Sequence, residues 1–135
     1  MDVLISIKPK YVERIVSGEK KVEYRKRMFK YLPHRIYIYV SSPVKKIIGY
    51  FKYTGYYSGT VDEVWTTSRE YAGIDYDTFS IYFANAEVAY ALKIDELVIF
   101  SKPVAPECIF DKFKAPQSFF YVKDGIENEK LRCLV

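Results

Sequence analysis

Residues 35–41 read Arg-Ile-Tyr-Ile-Tyr-Val-Ser, and no other run restricts the fold as strongly. Ile36, Ile38 and Val40 alternate with Tyr37 and Tyr39. That is the period of a β-strand, whose side chains point in turn to opposite faces. β-branched and aromatic residues favour this pleated conformation.

Similar signals recur along the chain. Residues 3–7 read as an opening apolar strand, broken by Lys8-Pro9. Pro9 suits the first turn of a helix reaching about residue 17, where its missing N–H costs nothing. Tyr11, Val12, Ile15 and Val16 make one apolar stripe on that helix. Gly18 fits the position just past its end, where positive φ is common. A second strand is expected over 21–26, then a basic loop over 26–34 carrying Met28, Phe29 and Tyr31. Ser42-Pro43 forms a turn, and 44–53 a longer strand with a bend available at Gly49.

Residues 54–59 look like a loop of tyrosine and glycine. Thr60 can cap a helix running to about residue 71, with Glu63 in the capping-box position. Asp75 or Asp77 can start another helix through residue 83. Residues 87–99 form one long strand or two broken ones, and their imperfect alternation suits burial on both sides. Residues 102–106 end that strand, 107–113 suggest a short helix, and 119–122 an aromatic strand. Six or seven strands with two or three helices, in no regular βαβ rhythm, imply an α+β fold. The expected form is a small, mostly antiparallel β-barrel with inserted short helices. Residues 1–122 make one domain; 123–135 are a polar tail or an edge strand.

Charge is unevenly spread. Residues 1–52 hold thirteen Lys/Arg and four Asp/Glu, whereas 53–135 hold eight and thirteen. A basic half points to an anionic partner such as nucleic acid, or to a solvated face. Cys108 and Cys133 lack zinc spacing and suit free thiols in a reducing cytoplasm. His34 is the one histidine, so no multi-histidine metal site is available. No apolar run approaches the ~18 residues of a membrane span. The expectation is a cytoplasmic protein with no membrane association, no metal and no cofactor.

The charges concentrate at Ser17-Gly18-Glu19-Lys20-Lys21-Val22-Glu23-Tyr24-Arg25-Lys26-Arg27. On a strand over 21–26, Lys21, Glu23 and Arg25 share one face and Val22 and Tyr24 the other. Lys20 sits at the turn beside the charged face. Such a group can bind an anionic or hydrogen-bonding ligand through Lys20, Lys21, Glu23, Tyr24, Arg25 and Arg27, or simply be a neutralising pair.

The pattern Gly18-x-Lys20-x-x-Glu23-x-Arg25 resembles the signature of the ASCH family, which is similar in fold to PUA domains. Residues 35–43 followed by Ile47-Ile48-Gly49, then Ala91-Leu92-Lys93-Ile94, then Pro116-Gln117-Ser118-Phe119, resemble later family elements in order. The resemblance implies a β-barrel with a cleft near the first motif. It implies binding of RNA or a nucleotide-like small molecule in RNA metabolism or transcription regulation. Some members are ribonucleases, and one branch deacylates modified cytidine with a lysine, a threonine nucleophile and a later glutamate. Lys20 matches that lysine, but Glu23 stands where the threonine would be, and Glu70, Asp75 or Asp77 would be the later acid.

Three readings follow. The first is an RNA- or nucleotide-binding domain with a basic cleft. The second is a metal-independent enzyme on RNA or modified nucleosides, a ribonuclease or amidohydrolase, with Lys20 and Glu23 catalytic. The third is a protein-interaction module, possible as a homodimer, using its tyrosines.

Overall fold

The computed structural model describes residues 1–122. They form a mixed α+β fold with eight strands and three α-helices. The strands are β1 (Asp2–Ile7), β2 (Val22–Arg25), β3 (Arg35–Val40), β4 (Lys46–Lys52), β5 (Tyr56–Gly59), β6 (Ala89–Lys93), β7 (Asp95–Val104) and β8 (Phe119–Val122). The helices are α1 (Pro9–Val16), α2 (Val61–Ser68) and α3 (Tyr76–Tyr82). A five-stranded sheet runs β7-β4-β3-β1-β8, and a three-stranded sheet runs β2-β6-β5. β1 and β3 are parallel, and the other pairings are antiparallel.

The alternating run behaves as its sequence requires. β1 and β3 lie in the interior of the large sheet, flanked on both sides. Ile36, Ile38 and Val40 join Val3, Ile5 and Ile7 on one face, against Val12 and Ile15 of α1 and Leu92 of β6. Tyr37, Tyr39 and Leu4 occupy the other face, with Phe100 and Val104 of β7 and the rings of Phe110, Phe113 and Phe120. Each aliphatic side chain withdrawn from water there contributes about 1.5–3 kcal/mol. A third cluster packs Val22, Tyr24, Ala89 and Ala91 of the small sheet on Val64 of α2 and Phe79 of α3.

The expected barrel does not close among the described residues. β1 already has β3 and β8 as neighbours, so no edge of it is left for β2, which pairs with β6 alone. Between β1 and β2 the link is a side chain: Arg25 donates from Nη2 to the Ser6 carbonyl at 2.7 Å. Of the one long strand or two broken ones expected over 87–99, two form, and they lie in different sheets. The break falls at Ile94, whose N–H bonds to the Lys21 carbonyl. β7 then continues through Pro103, which an edge strand tolerates because it need not donate on its open side. The expected loop over 54–59 contains β5. Of the helix expected over 107–113, only a 3₁₀ turn at Pro106–Cys108 forms.

Other local expectations hold. Pro9 opens α1 and Gly18 follows it with φ +84°. The Thr60 side chain accepts from the Glu63 N–H to cap α2, and Asp75 does the same for α3 through the Thr78 N–H. Gly49 lets β4 approach β7 closely, since a Cβ there would overlap the Val98 carbonyl oxygen. The proposed edge strand at 131–135 lies outside the described residues. No helix of the described residues is long and apolar enough to cross a membrane.

Candidate functional site

The turn after α1 delivers the charged segment to the junction of the two sheets. The Lys20 N–H bonds to the Arg14 carbonyl, and the Lys21 N–H to the Tyr71 carbonyl. β2 then alternates as the sequence requires. Val22 and Tyr24 enter the third apolar cluster. Glu23 and Arg25 face a cleft of about 800 Å³, open to solvent, bounded by β1, β2, Tyr82 and the Pro116–Ser118 turn.

Arg25 is anchored at two points. Nη2 holds the Ser6 carbonyl, and Nη1 donates to the Ser118 hydroxyl at 3.2 Å. Its Nε is buried and has no hydrogen-bond partner among the described residues. Glu23 lies 3.9 Å away from Nη2, with side-chain exposures of 12% for Arg25 and 9% for Glu23. Two nearly dehydrated charges at that separation attract each other without making a short hydrogen bond. Lys8, Lys26 and Arg27 add cations to the cleft wall.

Lys20 sits behind this pair. It is only 2% exposed, and its ammonium donates to the Ala72 carbonyl at 2.9 Å. The charge lies over the rings of Tyr24 (4.9 Å) and Tyr11 (5.7 Å), where the ring quadrupoles attract it. Burial lowers the Lys20 pKa below that of an ordinary lysine; Glu23 opposes the shift, while Arg14 and Arg25 reinforce it. Lys20 and Glu23 together line a small hollow of about 60 Å³ with Tyr11, Tyr24, Ile74, Thr78 and Tyr82. Gly73 closes on the Lys20 stem, leaving no room for a Cβ.

The structure therefore gathers Lys20, Glu23 and Arg25, with Glu23 shared by the small hollow and the open cleft. Arg27 lines the cleft. Lys21 is exposed and lines neither space. Tyr24 forms a wall: its hydroxyl bonds to Ser68 at 2.7 Å, and Phe79 and Phe83 meet its ring edge-on. Burial raises its pKa, opposed by the Ser68 bond. Other aromatic side chains pack on one another. Phe29 packs on Phe119 and Tyr53, Tyr31 on Tyr121, and Tyr56 on Tyr90. Trp65 packs on Tyr76 and Phe79, tying α2 to α3. Of the later acids, Glu70 and Asp75 line a separate hollow beside α1, with Lys10, Arg14 and Glu19.

Three participants were not marked by the sequence pattern. Tyr11 looked like stripe residue on α1, Tyr82 lay within an unremarkable helix, and Ser6 contributes a backbone carbonyl, which no side-chain pattern reveals. The Ser118 carbonyl accepts from the Ser6 N–H, which ties the Pro116–Ser118 turn to β1. Ser118 also reaches the site through Arg25. Among the described residues, no group of three or more His, Cys, Asp or Glu is placed to hold a metal ion.

Comparison with known proteins gives consistent relatives. The family profile described as the ASCH domain matches residues 5–98. An ASCH domain-containing ribonuclease of Zymomonas mobilis is 30% identical over 98% of this chain and 91% of its own length. The crystal structure of ASCH from Zymomonas mobilis superposes with a TM-score of 0.81 at 28% identity, over 97% of this chain and 91% of that one. A Tyr-to-Phe mutant of the same Zymomonas mobilis protein superposes at 0.88 with 25% identity, covering 99% of both chains. A stretch of ATP synthase subunit alpha from Ureaplasma parvum is 28% identical over 90% of this chain, but this is 15% of that protein.

Proposed function

The chain belongs to the ASCH domain family, and from that premise we propose that it is a ribonuclease acting on single-stranded RNA laid across the Glu23–Arg25 cleft. The observation that carries the reading is Arg25, fixed by Ser6 and Ser118 with its Nε unpaired among the described residues, next to a carboxylate in an open cleft. A guanidinium held in place is suited to the non-bridging oxygens of a phosphodiester. Lys8, Lys26 and Arg27 supply further positive charge for the backbone. The ribonuclease relative, which matches nearly the whole chain, supports the same reading.

The chemistry assigned to these groups is transesterification. Glu23 takes the proton of the 2′-hydroxyl, the 2′-oxygen bonds to phosphorus, and Arg25 stabilises the charge developing on the phosphorane. The bond from phosphorus to the 5′-oxygen breaks, and that oxygen leaves with a proton drawn from solvent. The products are a 2′,3′-cyclic phosphate and a 5′-hydroxyl end. Lys20 is a positioning residue in this scheme: its buried ammonium stands behind Glu23 in the small hollow that the two share. Deacylation of a small nucleoside is the weaker reading. The hollow that Lys20, Glu23 and Thr78 share measures about 60 Å³, well below the ~300 Å³ at the small end of ligand pockets.

The test is cleavage of end-labelled single-stranded RNA by the wild-type protein and by Glu23→Gln, with and without EDTA. Cleavage that survives EDTA, leaves cyclic phosphate ends and falls about 100-fold or more in Glu23→Gln is expected. Equal turnover by the two proteins rejects the assignment. Salt-sensitive RNA binding without cleavage by either would leave an RNA-binding domain in place of an enzyme.

A further inference from the structure

The open cleft, the small hollow and the hollow beside α1 are three compartments, and one residue lines all of them: Tyr11. The small hollow shares Glu23, Tyr24 and Tyr82 with the cleft, and Ile74 and Thr78 with the third space. The third space is large, about 690 Å³, and open to solvent. The three spaces are thus neighbours, with Tyr11 standing between the open cleft and the hollow beside α1.

Tyr11 is itself surrounded by positive charge. Lys10 Nζ lies 5.0 Å from its ring centre, and the Arg14 guanidinium carbon 5.8 Å. Lys10 is exposed and projects from the first turn of α1. Arg14 is fixed by donating from Nη1 to the Gly73 carbonyl at 2.8 Å. The three carboxylates lining this space are Glu19, Glu70 and Asp75. Asp75 is engaged in capping α3, and its hydrogen bonds to Thr78 lower its pKa. The hollow is therefore no simple anion trap. Its lining combines an aromatic ring and two cations with hydrogen-bond acceptors.

We propose that this hollow is a second nucleotide subsite, taking the nucleotide next to the one cleaved, with Tyr11 and Lys10 as its recognition residues. The inference rests on the ribonuclease reading and extends it. RNA backbone passing Tyr11 meets Lys10, while the adjoining base enters the space lined by Ile74 and Thr78, where polar groups can meet its edges. Two neighbouring hollows on either side of Tyr11 suit an unpaired strand that crosses the ring, because a paired base is not free to enter the second one.

The experiment uses oligocytidylates of two to six nucleotides, lengthened separately at the 5′ and 3′ ends. Catalytic efficiency is measured for wild-type protein, Lys10→Glu and Tyr11→Leu, after thermal melting has shown each variant folded. Wild-type efficiency is expected to rise about fivefold or more when one nucleotide is added on one side only. Both variants should erase most of that increment, so that the long-to-short ratio approaches one. Lys10→Glu should also flatten the salt dependence of binding, as loss of a phosphate contact does. An increment that both variants retain overturns the subsite while leaving ribonuclease activity intact. If the wild type neither binds nor cleaves RNA, the ribonuclease reading and the subsite fall together. Should Tyr11→Leu unfold, Lys10→Glu decides alone, since its side chain is exposed.

Discussion

The two sheets of this protein bury opposite things. The interior strands of the large sheet, β1 and β3, place aliphatic and aromatic side chains on both faces. The edge strand of the small sheet, β2, puts Val22 and Tyr24 inward but also withdraws Glu23 and much of Arg25 from water, with Lys20 just before it. Hydrophobic burial stabilises, whereas burial of ions costs free energy unless they are paired and hydrogen-bonded. The difference separates labour: the large sheet is the scaffold, and the small sheet holds the buried, charged groups against it.

Substitutions should break that contrast in order of severity. Gly49→Val drives a side chain into the Val98 carbonyl of β7. It should cost about 3 kcal/mol or more, seen as failure to fold or as a large loss in chemical denaturation. Ile38→Ala opens a cavity between sheet and α1 and should cost about 2–5 kcal/mol, while the folded fraction keeps its RNA affinity. Arg25→Lys should do the reverse. It should cost only about 1–2 kcal/mol of stability, through the lost bonds to Ser6 and Ser118, but weaken RNA binding about tenfold or more, the value of one hydrogen bond to a charged group at about 1.5 kcal/mol. A large stability loss with intact binding in that variant would erase the proposed division.

A subtler effect comes from Lys20. Its folded-state pKa is held below the usual 10.5 by burial. Below that range the unfolded chain binds its proton more tightly than the folded one, so the buried charge costs stability at neutral pH. The cost fades as pH rises through the folded pKa towards 10.5. The stability of the wild type relative to Lys20→Met should therefore increase with pH over that window, measured by denaturation at matched ionic strength. A difference flat from pH 7 to 10.5 would contradict the assignment.

The legible parts of the sequence are those where local chemistry and tertiary environment agree. The alternation at 35–41, Pro9 at the start of α1, Gly18 after it, and the Thr60 and Asp75 caps each have a local cause. The side-chain alternation of β2 could also be read directly, which brought Glu23 and Arg25 to one face. Barrel closure could not be read, because it depends on which strand takes the free edge of β1, and β8 takes it from far along the chain. The split at Ile94 depends on a bond to Lys21, again distant in sequence. In the site, the fixed orientation of Arg25 rests on the Ser6 carbonyl and Ser118, and Tyr11 becomes more than a core residue only once three hollows meet beside it. None of these relations leaves a mark in composition or period.

The central claim is that RNA engages the small-sheet cleft and not the scaffold. The most direct measurement is an NMR titration of isotope-labelled protein with a short single-stranded oligonucleotide whose 2′-hydroxyl at the cleavage position is removed. The account predicts the largest amide shifts at Ser6, Glu23, Arg25, Tyr82 and Ser118, with β4 and β7 unmoved. Shifts confined to β4 and β7, or none at low salt, would contradict it.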